Sequence, residues 1–240
     1  MDCGEIVNRD KVDITFIYLT RKGGFMGKLY KDSRVELTEF TAAHYDSIMN
    51  LMSLGYYAHF IEKAVSLMRI QPEDKIIDLG CGTGRNACLM TSYLSEKGKL
   101  LGMDISDEME KQFRSRLKEF TNVSFLKQRI DQPFELTGTF DKAFISFVIH
   151  GFPQEVREKT IKNVADHLRP GGKFFILDYN EFSLLDMPLY MRAPFKIMEC
   201  PHAFDFIKRD WKGILRDFGF RRFQEHLFFW DYVRLLEASL

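Results

Sequence analysis

The residues whose types and spacing could do chemistry begin at Asp78, which precedes Gly80, Cys81, Gly82, Thr83 and Gly84. Glycine at alternating positions strips Cβ atoms from a short turn, so a ligand can approach the backbone, and it accepts positive φ angles that other residues resist. A second acid, Asp104, stands about 20 residues further on, closing the apolar run Lys99-Leu100-Leu101-Gly102-Met103 and followed by Ile105. A carboxylate so placed can accept both hydroxyls of a ribose. The combination describes a cofactor site of nucleotide type. A dinucleotide is one reading, but Asp78 would set a negative charge where a pyrophosphate must lie. A ligand with a cationic end suits that carboxylate better.

Such a loop needs a strand before it and a helix after it. Lys75 to Leu79 is apolar and β-branched, and an amphipathic run starts at Arg85, so strand, tight turn and helix follow in order. The helix is expected to reach about Lys97, and a second one, N-capped by Ser106, to reach about Phe120. Further strands are expected over Val123 to Lys127, Thr139 to Ile149 and Lys173 to Asp178. The second of these, with Ala143-Phe144-Ile145-Ser146-Phe147-Val148, has the continuous apolar character of a central parallel strand. Ligands of open α/β sheets bind beyond the carboxyl ends of the strands, which places Ser146, Phe147 and His150 at the site. Helices are expected at Tyr57 to Met68, Glu155 to Leu168 and Ile207 to Phe218. The terminal stretches Phe220 to Phe228 and Trp230 to Leu236 read as an antiparallel pair. Tyr179 to Phe204, rich in Phe, Met and Leu and broken by Pro188, Pro194 and Pro201, reads as an irregular apolar cover over a substrate. Residues 1 to 40 form an extension in which a hairpin or lid can be drawn.

Asp78-Leu79-Gly80-Cys81-Gly82-Thr83-Gly84 resembles the first motif of class I S-adenosylmethionine-dependent methyltransferases, over roughly residues 41 to 220. The resemblance implies an α/β fold: a Rossmann-like, seven-stranded, mostly parallel sheet with helices on both faces and a terminal antiparallel strand pair. It implies S-adenosyl-L-methionine as cofactor, with the loop around its methionine part and Asp104 on its ribose. It also places the loop Gln128-Arg129-Ile130-Asp131 beside the adenine. Because Arg129 stands where such families often place Asp or Asn, the base contact falls to main chain, Ile130 packing or Asp131. A narrower resemblance links Ala43 to Gly55 and Ile145-Ser146-Phe147 to the quinone C-methyltransferases of menaquinone and ubiquinone biosynthesis, where the serine touches the cofactor. Three features depart from that pattern: Met49-Asn50 is one place late, Phe60 replaces a tryptophan, and His150 stands where arginine is usual.

Composition narrows the classes. The chain has 240 residues, 45% hydrophobic and 28% charged, and its 34 basic residues balance its 34 acidic ones, so no nucleic-acid partner is advertised. Cys3, Cys81, Cys88 and Cys200 have no metal-ligand spacing, so no metal is expected. The longest apolar run near the start, Ile14 to Leu19, is too short for a membrane span. A cytoplasmic protein follows, with peripheral membrane contact left open, as is the oligomeric state, a dimer included.

A sulfonium methyl is already activated, so the protein's task is to align a nucleophile and exclude water. For a ring carbon of a hydroquinone, removal of a phenolic proton helps. His150 is the first candidate base, with Tyr45, Asp46 and Tyr57 behind it. The acceptor expected is a small, apolar aromatic molecule, a demethylmenaquinol-like ring. Two alternatives fit the same motifs: transfer to a lipid amine, phenol or polar metabolite, and a non-catalytic partner subunit that binds the cofactor.

Overall fold

The computed structural model describes residue 33 and residues 56–240, with side chains from residue 58 onward within the first helix. Apart from residue 33, the extension at residues 1 to 40 lies outside the described residues, as do the segment bearing Tyr45 and Asp46 and the side chain of Tyr57.

In chain order the elements are α1 (Tyr56–Leu67), β1 (Lys75–Leu79), α2 (Arg85–Thr91), β2 (Lys99–Asp104), α3 (Asp107–Arg116), β3 (Val123–Lys127) and β4 (Phe140–Ser146). A 3-10 turn (Ile149–Gly151) leads into α4 (Gln154–His167) and β5 (Leu168–Tyr179). Then come α5 (Leu189–Met198), α6 (Pro201–Phe206), α7 (Trp211–Asp217), β6 (Arg222–Phe228) and β7 (Val233–Ser239). The strands form one seven-stranded sheet in the order β3-β2-β1-β4-β5-β7-β6. Neighbours from β3 to β5 pair in parallel, whereas β7 runs antiparallel to both β5 and β6. The order reverses direction between β1 and β4, and a crevice forms at such a switch point.

Each face of the sheet carries its own apolar core. On one, Phe60, Ile61, Ala64, Val65 and Met68 of α1 and its end, spaced at helical period, pack with Ala87, Met90 and Phe113 against Ile76, Phe144 and Phe175. On the other, Val156, Ile161 and Val164 of α4 join Phe206, Trp211 and Leu215 over Ile77, Ile145 and Phe174. Alternation along β1, β4 and β5 sends successive side chains to opposite cores, which is why these strands read as unbroken apolar runs. Each large side chain fully buried this way contributes about 1.5 to 3 kcal/mol.

Several boundaries differ from expectation. The helix after the glycine loop ends at Thr91, six residues short of Lys97, because Thr91 and Ser92 return their hydroxyls to Cys88 and Leu89 carbonyls and the chain turns. The next helix ends at Arg116 rather than near Phe120. Ile207 falls in the turn after α6, and Asp210, whose side chain accepts from the Gly213 amide, starts α7 three residues later than the apolar spacing suggests. The segment from Tyr179 to Phe204 is not irregular: it contains α5 and most of α6. Its prolines explain why it reads as loop, since Pro188 and Pro201 stand at helix starts and Pro194 lies inside α5. Among the described residues no helix is long and apolar enough to cross a membrane.

Candidate functional site

At the carboxyl end of β1 the chain turns through Gly80, Gly82 and Gly84, all with positive φ. The turn at Gly80 also demands a missing side chain, because a Cβ there would lie 2.7 Å from Cγ2 of Val148. That contact seats the exit of β4 directly on the loop. Gly82 differs: a Cβ there would meet nothing nearer than the Met109 Sδ at 3.8 Å, so the space beside it is open. Thr83 is buried and its hydroxyl and carbonyl accept from the Arg116 guanidinium, at 2.6 Å and 3.0 Å.

The loop's amides were expected to face a ligand, but many are satisfied within the protein. Gly80 and Cys81 both donate to the Met103 carbonyl, at 2.8 Å and 3.0 Å, and Gly84 donates to Cys81. Gly82 donates to Asp104 Oδ2 at 3.0 Å, while Asp104 Oδ1 accepts from Ile105 and Ser106, at 2.7 Å and 3.0 Å. Asp104 therefore closes the glycine loop. A carboxylate has about four acceptor sites, so three bonds leave capacity for a ligand hydroxyl.

Asp78 is 1% exposed and its Oδ2 has no hydrogen-bond partner. Burial, with the Asp104 charge adding to it, pushes its carboxyl up to about 8. Asp104 is likewise raised by burial, against the pull of its three amide donors. Burial and the two acids also raise the Cys81 thiol, so this buried cysteine lines the turn as a neutral group. An orphaned, buried acid is costly unless a partner arrives. A ligand that brings positive charge to Asp78 and hydroxyls to Asp104 fits this pair. Ile105 is exposed beside it.

The next strands bring their own groups. Ser146 is half-buried at the end of β4, and Phe147 follows with a positive φ. Arg129 does not project alone: its guanidinium grips the buried Asp131 in two bonds, at 2.7 Å and 3.0 Å. The Asp131 carboxylate is thus committed to Arg129, and Ile130 is buried in the core with its carbonyl held by Asn163. His150, in the 3-10 turn, is 8% exposed. Its Nδ1 lies 2.8 Å from Asp178 Oδ1, its amide donates to Asp178 Oδ2 at 3.3 Å, and its Nε2 lies 3.6 Å from Glu199. Burial works against charge on the ring, but Asp178, with Glu199 behind it, outweighs that and holds the imidazolium above the usual histidine range, opposed by Arg157.

Sequence reading missed the residues around this histidine. Asp178 ends the apolar strand β5, a position where the carboxyl-end rule could have found it. Glu199, the lone acid between Asp186 and Asp205, accepts from the Tyr179 hydroxyl at 2.6 Å. Arg157, fully buried, donates to the carbonyls of Ile149, His150 and His202 and to Asp205, binding the histidine's turn to α6. From His150 a file of aromatic rings leads outward: Tyr179 at 5.1 Å, then Phe195 at 5.0 Å, then Phe182 at 5.9 Å.

Comparison with known proteins follows the same lines. The "Ubiquinone/menaquinone biosynthesis C-methyltransferase UbiE" of Wigglesworthia glossinidia brevipalpis is 25% identical over 162 residues, covering 65% of this chain and 64% of its own. The "Demethylmenaquinone methyltransferase" of Symbiobacterium thermophilum is 29% identical over 148 residues, covering 60% and 57%. The chain thus spans about three fifths of these relatives' length. A crystal structure of a SAM dependent methyltransferase from Aquifex aeolicus shares the fold, with a TM-score of 0.56, 20% identity, and coverage of 75% of this chain and 88% of that one. The family profile reaches from residue 28 to residue 203, across α1, the glycine loop, both acids, His150 and the cover. On that match the chain belongs to the ubiE/COQ5 methyltransferase family.

Proposed function

We propose that this chain transfers a methyl group from S-adenosylmethionine to a ring carbon of a demethylmenaquinol-like quinol. The observation that carries the proposal is the convergence on one sheet edge of an orphaned acid at Asp78, a histidine held by Asp178, and an aromatic file leading from that histidine into the cover. Quinone C-methylation is what the relatives' names state of those proteins. In this reading residues 41–240 act as one methyltransferase unit, and residues 179–204 are its cover.

The cofactor supplies, when bound, a methyl on a positively charged sulfur that departs as a neutral thioether. Asp78 provides the buried negative charge for the ligand's cationic end, and Asp104 accepts from the ribose while it holds Gly82. Ile105, Ile130 and the Arg129–Asp131 pair would hold the adenine end of the cofactor, and Ser146, at the end of β4, would meet its methionine end. His150 takes the proton of a quinol hydroxyl through Nε2, which raises electron density on the ring carbon that forms the new bond. That carbon then loses its own proton as aromaticity returns and His150 gives its proton back to the ring oxygen, so one proton is released for each methyl gained. The aromatic cover aligns the ring and keeps water out. Behind His150, Tyr45 and Asp46, outside the described residues, are the further candidate bases.

A prenylated ring resides in a membrane, so the acceptor must be met at the lipid surface. Helix α5 suits this: none of its residues is buried, Leu189 and Tyr190 are largely exposed, and Arg192 and Lys196 stand in it without an acid. An apolar face with basic residues adsorbs to anionic lipid.

The test offers reduced and oxidised quinone side by side with methyl-labelled cofactor. Label is expected in the reduced ring alone, because only the electron-rich quinol is nucleophilic. Transfer to an amine or simple phenol instead, or cofactor binding without transfer to any acceptor, would overturn the acceptor assignment.

A further inference from the structure

Three candidate features stand outside the cofactor loop: a shallow polar cleft beside Glu237, the exposed face of α5, and the polar contacts around His150. The last is the most completely defined. Asp178 accepts the main-chain amide of His150 at 3.3 Å and that of Tyr179 at 2.8 Å, so it acts as an acceptor toward the imidazole too. Nδ1 must then carry the hydrogen of the 2.8 Å contact. The remaining nitrogen, Nε2, faces Glu199 Oε2 at 3.6 Å, within ion-pair reach and too far for a good hydrogen bond. Glu199 caps the carboxyl end of α5, so it belongs to the cover, and its other oxygen is engaged by the Tyr179 hydroxyl. An oxygen on the cover thus occupies the direction from which an acceptor's hydroxyl would approach Nε2.

Resting on the assignment of His150 as base, we infer that Asp178 and Glu199 are positioning residues that act on the reaction through its ring. Asp178 fixes the tautomer that leaves Nε2 as the working nitrogen, and Glu199 holds Nε2 until the acceptor hydroxyl takes its place. In that step the acceptor O–H bond breaks, an Nε2–H bond forms, and the electron pair stays on oxygen. The resulting imidazolium is paired with Asp178. The groups facing the ring are Asp178 from β5, Glu199 from the end of α5 and Arg157 from α4, the first two favouring its charge and the third opposing it. With Glu199 in place the ring holds a proton more tightly; displacing Glu199 removes one of the two favouring charges, so the ring gives up that proton and becomes a usable base as the cover receives its substrate.

The experiment labels the histidines with nitrogen-15 in the whole chain and titrates His150, assigned with His150→Ala, alongside pH profiles of kcat/KM. Wild type is expected to show the Nδ1–H neutral form and a titration above the ordinary histidine value. Glu199→Gln should move that titration, and the acid limb of the profile, down by about half a unit to one unit. Asp178→Asn should lose the tautomer preference and lower kcat about 10²-fold or more, with cofactor affinity kept, and Asp178→Glu should recover part of the loss. A neutral Nε2–H form in wild type, or a titration that Glu199→Gln leaves unmoved, would overturn the inference. Absence of methyl transfer to quinol, with the nitrogen-15 responses as expected, would instead remove the acceptor assignment and leave the paired histidine standing.

Discussion

Asp78 answers to two opposed requirements. Its carboxyl is buried beside Asp104 with an oxygen unpartnered, which favours the protonated form in the empty protein, while a cationic ligand needs it ionised. Because the folded pKa, about 8, lies above the unfolded value, the native state holds a proton that the unfolded state has released. This contribution to stability is complete below about pH 4 and is lost as pH rises through about 8. Replacing Asp78 with Asn is therefore expected to raise the melting temperature of the ligand-free protein by about 2 °C or more at pH 9 and to change it little at pH 4. The same variant should bind S-adenosylmethionine more weakly by about 1 to 3 kcal/mol in calorimetry at pH 8. Equal melting temperatures at pH 9 would refute the burial argument.

The glycines separate by the same kind of reasoning. Gly80→Ala drives a Cβ into Val148 at a positive φ, so the expected loss, about 1 to 3 kcal/mol, falls on folding. Gly82→Val meets open space within the protein but is strained at its positive φ, so a folding loss is expected together with weaker cofactor binding, the latter measured by titration in a variant that still unfolds cooperatively.

Among the elements, α5 is the one whose role is least fixed by packing. It buries no residue, and Pro194 removes one helical hydrogen bond, at a cost of about 3 kcal/mol for a proline in a helix interior. Such a helix is held by Glu199 toward His150 and Tyr179, by Arg192 donating to the Leu185 and Met187 carbonyls, and by Phe195 against Tyr179, Phe182 and Phe204. Leu189→Ser with Tyr190→Ser should reduce flotation with anionic vesicles several-fold and raise KM for a long-tailed quinol more than for a tail-less one. Unchanged flotation would place the lipid contact elsewhere. Phe195→Ala, by contrast, opens the aromatic file between Tyr179 and Phe182 and should raise KM even for the tail-less ring.

The strands and the glycine loop were legible because their causes are local: three glycines mark a backbone that needs positive φ, and apolar runs mark strands buried on both faces. Helix ends were less so, since Thr91 and Ser92 stop α2 by bonds that helical periodicity does not register. Asp178 and Glu199 escaped notice because their meaning depends on His150, far away in sequence, and on the parallel pairing of β4 with β5. Arg129 and Asp131, in the loop the resemblance sets beside the adenine, grip one another, a pairing two residues apart that no motif announces.

For the whole molecule, the sheet acts as a partition with a core on either side, and the candidate ligand site lies on its carboxyl edge. Cofactor binding should therefore stabilise the fold as a unit. At a ligand concentration of about 100 Kd the gain is about 2.7 kcal/mol, a shift of several degrees in a thermal melt, and Asp78→Asn should lose most of it at that same concentration.

The chain contains two tryptophans in opposite surroundings. Trp211 is 1% exposed, its ring 4.3 Å from Phe206 and its indole N–H donated to the Phe206 carbonyl, so it is wedged beneath α6 at the foot of the cover. Trp230 is 77% exposed in the turn between β6 and β7. The two should emit at different wavelengths, Trp211 towards the blue and shielded from iodide, Trp230 towards the red and open to it. The proposed cover's lifting can then be followed optically in the unlabelled protein: with Trp230→Phe as background, a quinol substrate that parts α6 from α7 should redden and dim the remaining emission on the timescale of each turnover.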